Sequence, residues 1–167
     1  MISVNPATQQ PDDFAPTGTG LAASAAAQDG AIEISARIRQ GNLDFTMRDI
    51  EGNFVRFDNG ERYLAITGRT RLTIRLSDVI NWQFDTAAGP LRFKKEVSAS
   101  LYRVHFVETA QVLREIVLEA EPSGVDPAAA GASEVHPFNL YLKVNQRLGS
   151  AWPLRLDPDA KNPPPHG

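Results

Sequence analysis

The chain of 167 residues contains no cysteine. That single absence removes a disulfide framework, a thiol nucleophile, thiolate zinc sites and cysteine-ligated iron–sulfur clusters. Histidine is scarce, with His105, His136 and His166 alone, far apart in the sequence. No run approaches the roughly 18 consecutive apolar residues of a membrane-spanning helix. The stretch from Met1 to Gln10 has no basic region and meets Asp12 and Asp13 before any apolar run, so no secretory signal is legible. These absences predict a soluble, cytoplasmic protein without a membrane partner. A strong excess of one charge is also missing: 17 Lys and Arg stand against 20 Asp and Glu, for a net −3. That balance argues against broad, sequence-independent affinity for nucleic acid or anionic lipid.

What is present is globular in composition, with 42% hydrophobic and 22% charged residues in a chain long enough for one domain. Met1 to Gly30 has no Lys or Arg and a Pro, Thr, Gly and Ala-rich texture, which predicts a flexible N-terminal arm. Within it, Leu21 to Ala27 has the propensity for a short helix. Residues 31–158 read as the folded domain, and 159–167 as an extended, proline-rich tail.

The domain alternates. Ile32, Ile34, Ala36 and Ile38 share one parity and Glu33, Ser35, Arg37 and Arg39 the other, which is the period of a half-buried strand. After Gln40-Gly41-Asn42, the residues Leu43, Phe45 and Met47 repeat the pattern, predicting a hairpin. Asn59-Gly60 readily adopts the positive φ of a type I′ turn and predicts a second hairpin. Further strands are expected around Leu72 to Leu76, Val79 to Thr86, Leu101 to Glu108 and Phe138 to Val144. A shorter one is expected over Ala151 to Leu156, where Pro153 indicates an edge or a strand end. Val112 to Glu121 fits a helix with Leu118 misplaced, or a strand with Arg114 misplaced; clustered β-branched residues favour the strand. Pro122 to Glu134 reads as a loop. About eight short strands without crossover helices predict an all-β, antiparallel β-sandwich of immunoglobulin-like type.

Few motifs carry chemistry. No Walker phosphate loop and no Gly-x-Ser-x-Gly elbow are present, and Gly18-Thr19-Gly20 lacks both a preceding strand and a third glycine. Asp49, Glu51 and Asn53 have the spacing that opens a calcium loop, but Gly52 falls at the fourth position instead of the sixth, so they read as turn residues. Glu115, Glu119 and Glu121 share one strand face, which reads as a solvated surface. Trp82 and Trp152 read as packing residues.

The basic residues are unevenly spread. Residues 31–107 hold twelve Lys and Arg against nine Asp and Glu, a net +3, and residues 108–167 five against eight, a net −3. Such polarity suits head-to-tail self-association, or an anion patch of Arg71, Arg75, Arg92, Lys94 and Lys95.

Glu121-Pro122 after a strand, His136 to Val144, and Leu156-Asp157-Pro158-Asp159-Ala160-Lys161-Asn162-Pro163 together resemble the bacterial DP-EP family, over roughly the half of the chain from Trp82. That resemblance implies a small β-sandwich protein of unknown function, some relatives being labelled nucleotide synthetases. In physical terms, Glu121-Pro122 and Asp157-Pro158 act as strand terminators, because proline removes a ladder donor and holds its predecessor extended. The expectation is a non-enzymatic binding or self-assembly module of the kind that forms a homo-oligomer, with no cofactor. The alternative is a nucleotide- or phosphometabolite-acting enzyme that uses the anion patch and a divalent metal at Asp157 or Asp159.

Overall fold

A computed structural model describes residues 3–6, 13–18, 27–58, 60–66, 68–120, 134–145, 151–157 and 159–162. In chain order its elements are β1 (Ser3–Pro6), β2 (Gln28–Arg39), β3 (Asn42–Glu51), β4 (Val55–Asp58), β5 (Glu61–Ala65), β6 (Thr70–Leu76), β7 (Trp82–Phe84), β8 (Leu91–Phe93), α1 (Glu96–Ala99), β9 (Tyr102–His105), β10 (Glu115–Ala120), β11 (Glu134–Val144), β12 (Trp152–Asp157) and β13 (Asp159–Asn162). They form an all-β sandwich of two sheets.

The five-stranded sheet runs β3-β2-β6-β10-β9. It is antiparallel except where β2 lies parallel to β6. The eight-stranded sheet runs β1-β12-β11-β13-β5-β4, with β7 and β8 also pairing with β11, and it too has one parallel pair, β13 with β5. Alternation sends one parity of each strand inward. Ile32, Ile34, Leu72, Ile74, Ile116 and Leu118 from one sheet meet Leu64, Trp82, Phe84, Phe93, Phe138 and Leu140 from the other in a single core.

The ambiguous segment resolves as β10, with Ile116, Leu118 and Ala120 buried. Its cross-strand neighbours on β6 supply the β-ladder that an isolated helix-period reading leaves out. The expected second hairpin is present as β4 paired with β5 up to Asp58 and Glu61, with Gly60 at φ +82, while Asn59 lies outside the described residues. Pro153 sits where β12 pairs with β11 but β1 no longer covers it, so the missing N–H interrupts no ladder on that side.

The ends of the chain differ from the expected arm and tail. Ser3–Pro6 is an edge strand on β12, and Gln28–Gly30 is the start of β2. Phe14 forms an antiparallel bridge to Phe93, and the Thr17 N–H donates to the Ala99 carbonyl at 3.0 Å. Asp159–Asn162 continues the sheet between β11 and β5 instead of trailing free. These short paired segments, with β7 and β8, raise the count to thirteen strands among the described residues. The Leu21–Ala27 helix and the Pro122–Glu134 loop fall, but for Ala27 and Glu134, outside the described residues.

Candidate functional site

The strongest polar constellation lies on the outer face of the eight-stranded sheet, and Asp13 is its centre. On β11, Phe138, Leu140 and Leu142 point into the core, so Asn139 and Tyr141 take the opposite face. Register places Asn139 beside Arg92 of β8 and Tyr141 beside Arg155 of β12. Asp13 closes over them. Its carboxylate accepts from Arg92 Nε at 2.6 Å, from Asn139 Nδ2 at 2.9 Å and from the Tyr141 hydroxyl at 2.5 Å, while Arg92 Nη2 donates to the Asp13 carbonyl at 2.8 Å.

The Asp13 side chain is only 4% exposed, so these are charge-assisted bonds out of water. The phenol of Tyr141 is pushed up to about 12, first by burial and then by the adjacent Asp13 carboxylate, with Arg155 opposing. A phenol whose pKa is raised in the folded state binds its proton more tightly there than in the unfolded chain. Its contribution to stability is therefore complete below pH 10 and is lost as pH rises toward about 12. Urea denaturation from pH 9 to pH 12 is expected to show a steeper loss for wild type than for Tyr141→Phe. Parallel pH profiles would place the destabilisation elsewhere.

The backbone completes the capture. Phe14 and Phe93 exchange both N–H···O bonds, at 2.7 and 2.8 Å. Lys94 N–H donates to Pro137 O and the Pro90 carbonyl accepts from Tyr141 N–H, which puts the β11-facing backbone groups of this stretch at the alternate residues Pro90, Arg92 and Lys94. The Phe93 amide therefore points away from β11, and Phe14 occupies the other edge of β8.

The five cations of the expected anion patch do not come together. Arg71 and Arg75 lie on the outer face of the five-stranded sheet, Arg71 opposite Glu119 and Arg75 bonded to Glu115 at 2.7 Å. Arg92 and Lys94 lie on the outer side of the other sheet, paired with Asp13 and Asp157. Lys95 is exposed at the start of α1. Asp157 thus serves as an ion-pair partner, while Glu121, Pro122 and Pro158 lie outside the described residues.

Two further clusters have chemical potential. Ser98 Oγ is 2.8 Å from His136 Nδ1, a spacing suited to a nucleophile and its base, but Ser98 is fully buried and His136 only 1% exposed. With the Tyr102 ring edge-on to the imidazole at 5.5 Å, the pair ties α1 to β11 and is closed to substrate. On the five-stranded sheet, Glu119 Oε2 is 3.2 Å from His105 Nε2 and 3.5 Å from Arg103 Nη1. The His105 hydrogen bond and the cations around it hold the Glu119 carboxyl below its usual range. This is a half-exposed ionic face.

Asp49 caps its turn by accepting from the backbone N–H of Phe54 at 2.7 Å and of Val55 at 3.1 Å. Gly52, at φ +89, lets that turn close beneath the Phe54 ring. Among the described residues no three His, Asp or Glu side chains converge as a metal site. Sequence reasoning missed Asp13, Asn139, Tyr141 and Arg155 because each looks like an ordinary polar surface residue. The available signal was Asp13-Phe14, an acid and an aromatic in a stretch otherwise poor in large side chains. No family model matches this chain, and none of the curated proteins is similar to it in sequence.

Proposed function

We propose that this protein is a non-enzymatic β-sandwich module for self-assembly, in which the N-terminal segment bearing β1 and Asp13 is captured by the eight-stranded sheet of a second copy. The buried cluster of Asp13 with Arg92, Asn139 and Tyr141 carries this reading. Its polar groups are consumed in gripping an extended segment, by edge pairing for affinity and a buried carboxylate for register.

The span lets β1 and Asp13 dock together as one continuous segment. Four strand spacings, from β1 through β12, β11 and β8 to Phe14, amount to about 19 Å. Pro6 and Asp13 are separated by seven residue steps, which reach at most about 25 Å. The segment can therefore dock as one unit on its own sheet or on that of a second copy, and docking on the second copy is a domain swap. The net +3 and −3 portions of the chain add complementary charge between copies. The DP-EP resemblance is carried within this proposal for its β-sandwich character alone.

The cysteine-free chain provides the test. Ser3 of β1 faces Asp157 of β12 in register. Ser3→Cys and Asp157→Cys variants, refolded together and oxidised, are expected to give a covalent heterodimer on a non-reducing gel. If the mixture yields no heterodimer while the double variant closes only within one chain, β1 is a clasp in cis and the assembly reading fails.

A further inference from the structure

A second feature stands apart from the captured segment, at the end of the sandwich where β3 approaches the β4–β5 hairpin. Strand register pairs Phe57 with Arg62 and Val55 with Leu64, placing these four on the core-facing parity. Leu64 is fully buried, yet Phe57, two residues along from Val55, is 68% exposed. An aromatic on the inward parity that remains in solvent marks the open mouth of the core. The mouth is a cleft of about 290 Å³ in which Phe57 is the exposed apolar surface, while Phe45 and Met47, which also line it, are themselves buried.

Its rim is cationic. Arg37 and Arg39 of β2 and Arg62 of β5 line it, against Asp44 as the one lining carboxylate among the described residues. Asp44 is 4.0 Å from Arg37 Nε, the outer limit of an ion pair, and Arg62 uses Nη1 to donate to the Met47 carbonyl at 3.2 Å. Most of these guanidinium donors thus have no partner among the described residues and surround the exposed Phe57 ring. Guanidinium groups recognise planar or tetrahedral oxyanions through paired N–H donors, and an exposed ring offers a stacking face. The volume is near the lower end of small-molecule pockets, the size of one substituted ring.

We infer that this mouth binds a small amphipathic oxyanion: one aromatic-sized apolar body stacked on Phe57, with a phosphate or carboxylate head held by Arg37, Arg39 and Arg62. The site is independent of the N-terminal segment and does not require self-assembly.

Amide chemical-shift titration with phenyl phosphate, benzoate, inorganic phosphate and benzyl alcohol tests it. Phenyl phosphate or benzoate is expected to saturate with a Kd of about 1 mM, and whichever binds more tightly identifies the head. Inorganic phosphate and benzyl alcohol, each carrying half of the chemistry, bind at least tenfold more weakly. The Arg39→Gln/Arg62→Gln double variant, checked for cooperative unfolding, loses tenfold or more for the ring-bearing anion. Phe57→Ser, a substitution at an exposed side chain, removes the preference for phenyl phosphate over inorganic phosphate. Failure of both ring-bearing anions to saturate, or equal affinity in wild type and the double variant, overturns the inference.

Discussion

Replacing Asp13 by alanine is expected to cost about 3 kcal/mol of stability, a fall in Tm of about 6–12 °C. The change removes the acceptor from three donors at once. Arg92, with 21% of its side chain exposed, keeps its charge but loses its counter-ion, and the buried Asn139 amide and Tyr141 hydroxyl lose their acceptor. Asp13→Asn restores the shape but not the charge and falls between. The cause is separable from loss of packing, because Asp13→Ala made on an Arg92→Met background is expected to cost less than half as much. Urea denaturation of the four proteins gives the cycle. A cost below about 0.5 kcal/mol for the single change shows that the cluster does not hold the segment. If assembly proceeds by exchange, the same variant also shifts the mass distribution toward monomer.

The second large effect belongs to the core. Trp82 is fully buried on β7, its ring centroid 5.8 Å from that of Phe45, and its Nε1 donates to the Ser77 carbonyl at 2.6 Å. Trp82→Ala opens a cavity between the sheets and strands that carbonyl, for an expected loss of about 3–5 kcal/mol. Trp82→Phe retains the ring packing and costs about 1–2 kcal/mol. Fluorescence checks the placement directly, because Trp152 is 63% exposed. Wild-type emission is a sum of dry and wet indole, and Trp82→Ala should leave only the wet component. A wild-type spectrum with no blue-shifted component contradicts a buried Trp82.

The strands were legible where one face meets the core and the other meets solvent. Ile32 and Ile34, Leu72 and Ile74, and Phe138, Leu140 and Leu142 announce themselves by period two, and all are buried. What alternation does not encode is the partner of each strand. Nothing in Gln28–Ile34 distinguishes a parallel neighbour at Thr70–Leu76 from an antiparallel one, since both place the same residues inward. The short segments were missed for a related reason. Ser3–Pro6 is held by backbone pairing to β12 at the other end of the chain and Asp159–Asn162 by pairing to both β11 and the distant β5, and four residues are too few to show a period. The polar site follows the same logic. Arg92 was noticed as a cation, but its significance depends on Asp13, 79 residues earlier, arriving over Asn139 and Tyr141. Composition read that region as an unpaired arm because its stabilisation comes from the sheet beneath it.

The two sheets also differ in when they can be made. Every strand of the five-stranded sheet lies between Gln28 and Ala120, whereas the eight-stranded sheet joins Ser3 to Asp157 and Tyr63 to Asp159. A nascent chain that has emerged only to residue 120 holds the first sheet but not β11, with which β7, β8, β12 and β13 all pair, so the inward face of Ile32, Ile34, Ile74 and Leu118 lacks the cover of Phe138, Leu140 and Leu142. At about 5–20 residues per second, synthesis from there to residue 162 takes roughly two to eight seconds. During that interval the apolar face is a target for chaperones or for another nascent chain. Two chains translated side by side are also well placed to close each other's second sheet.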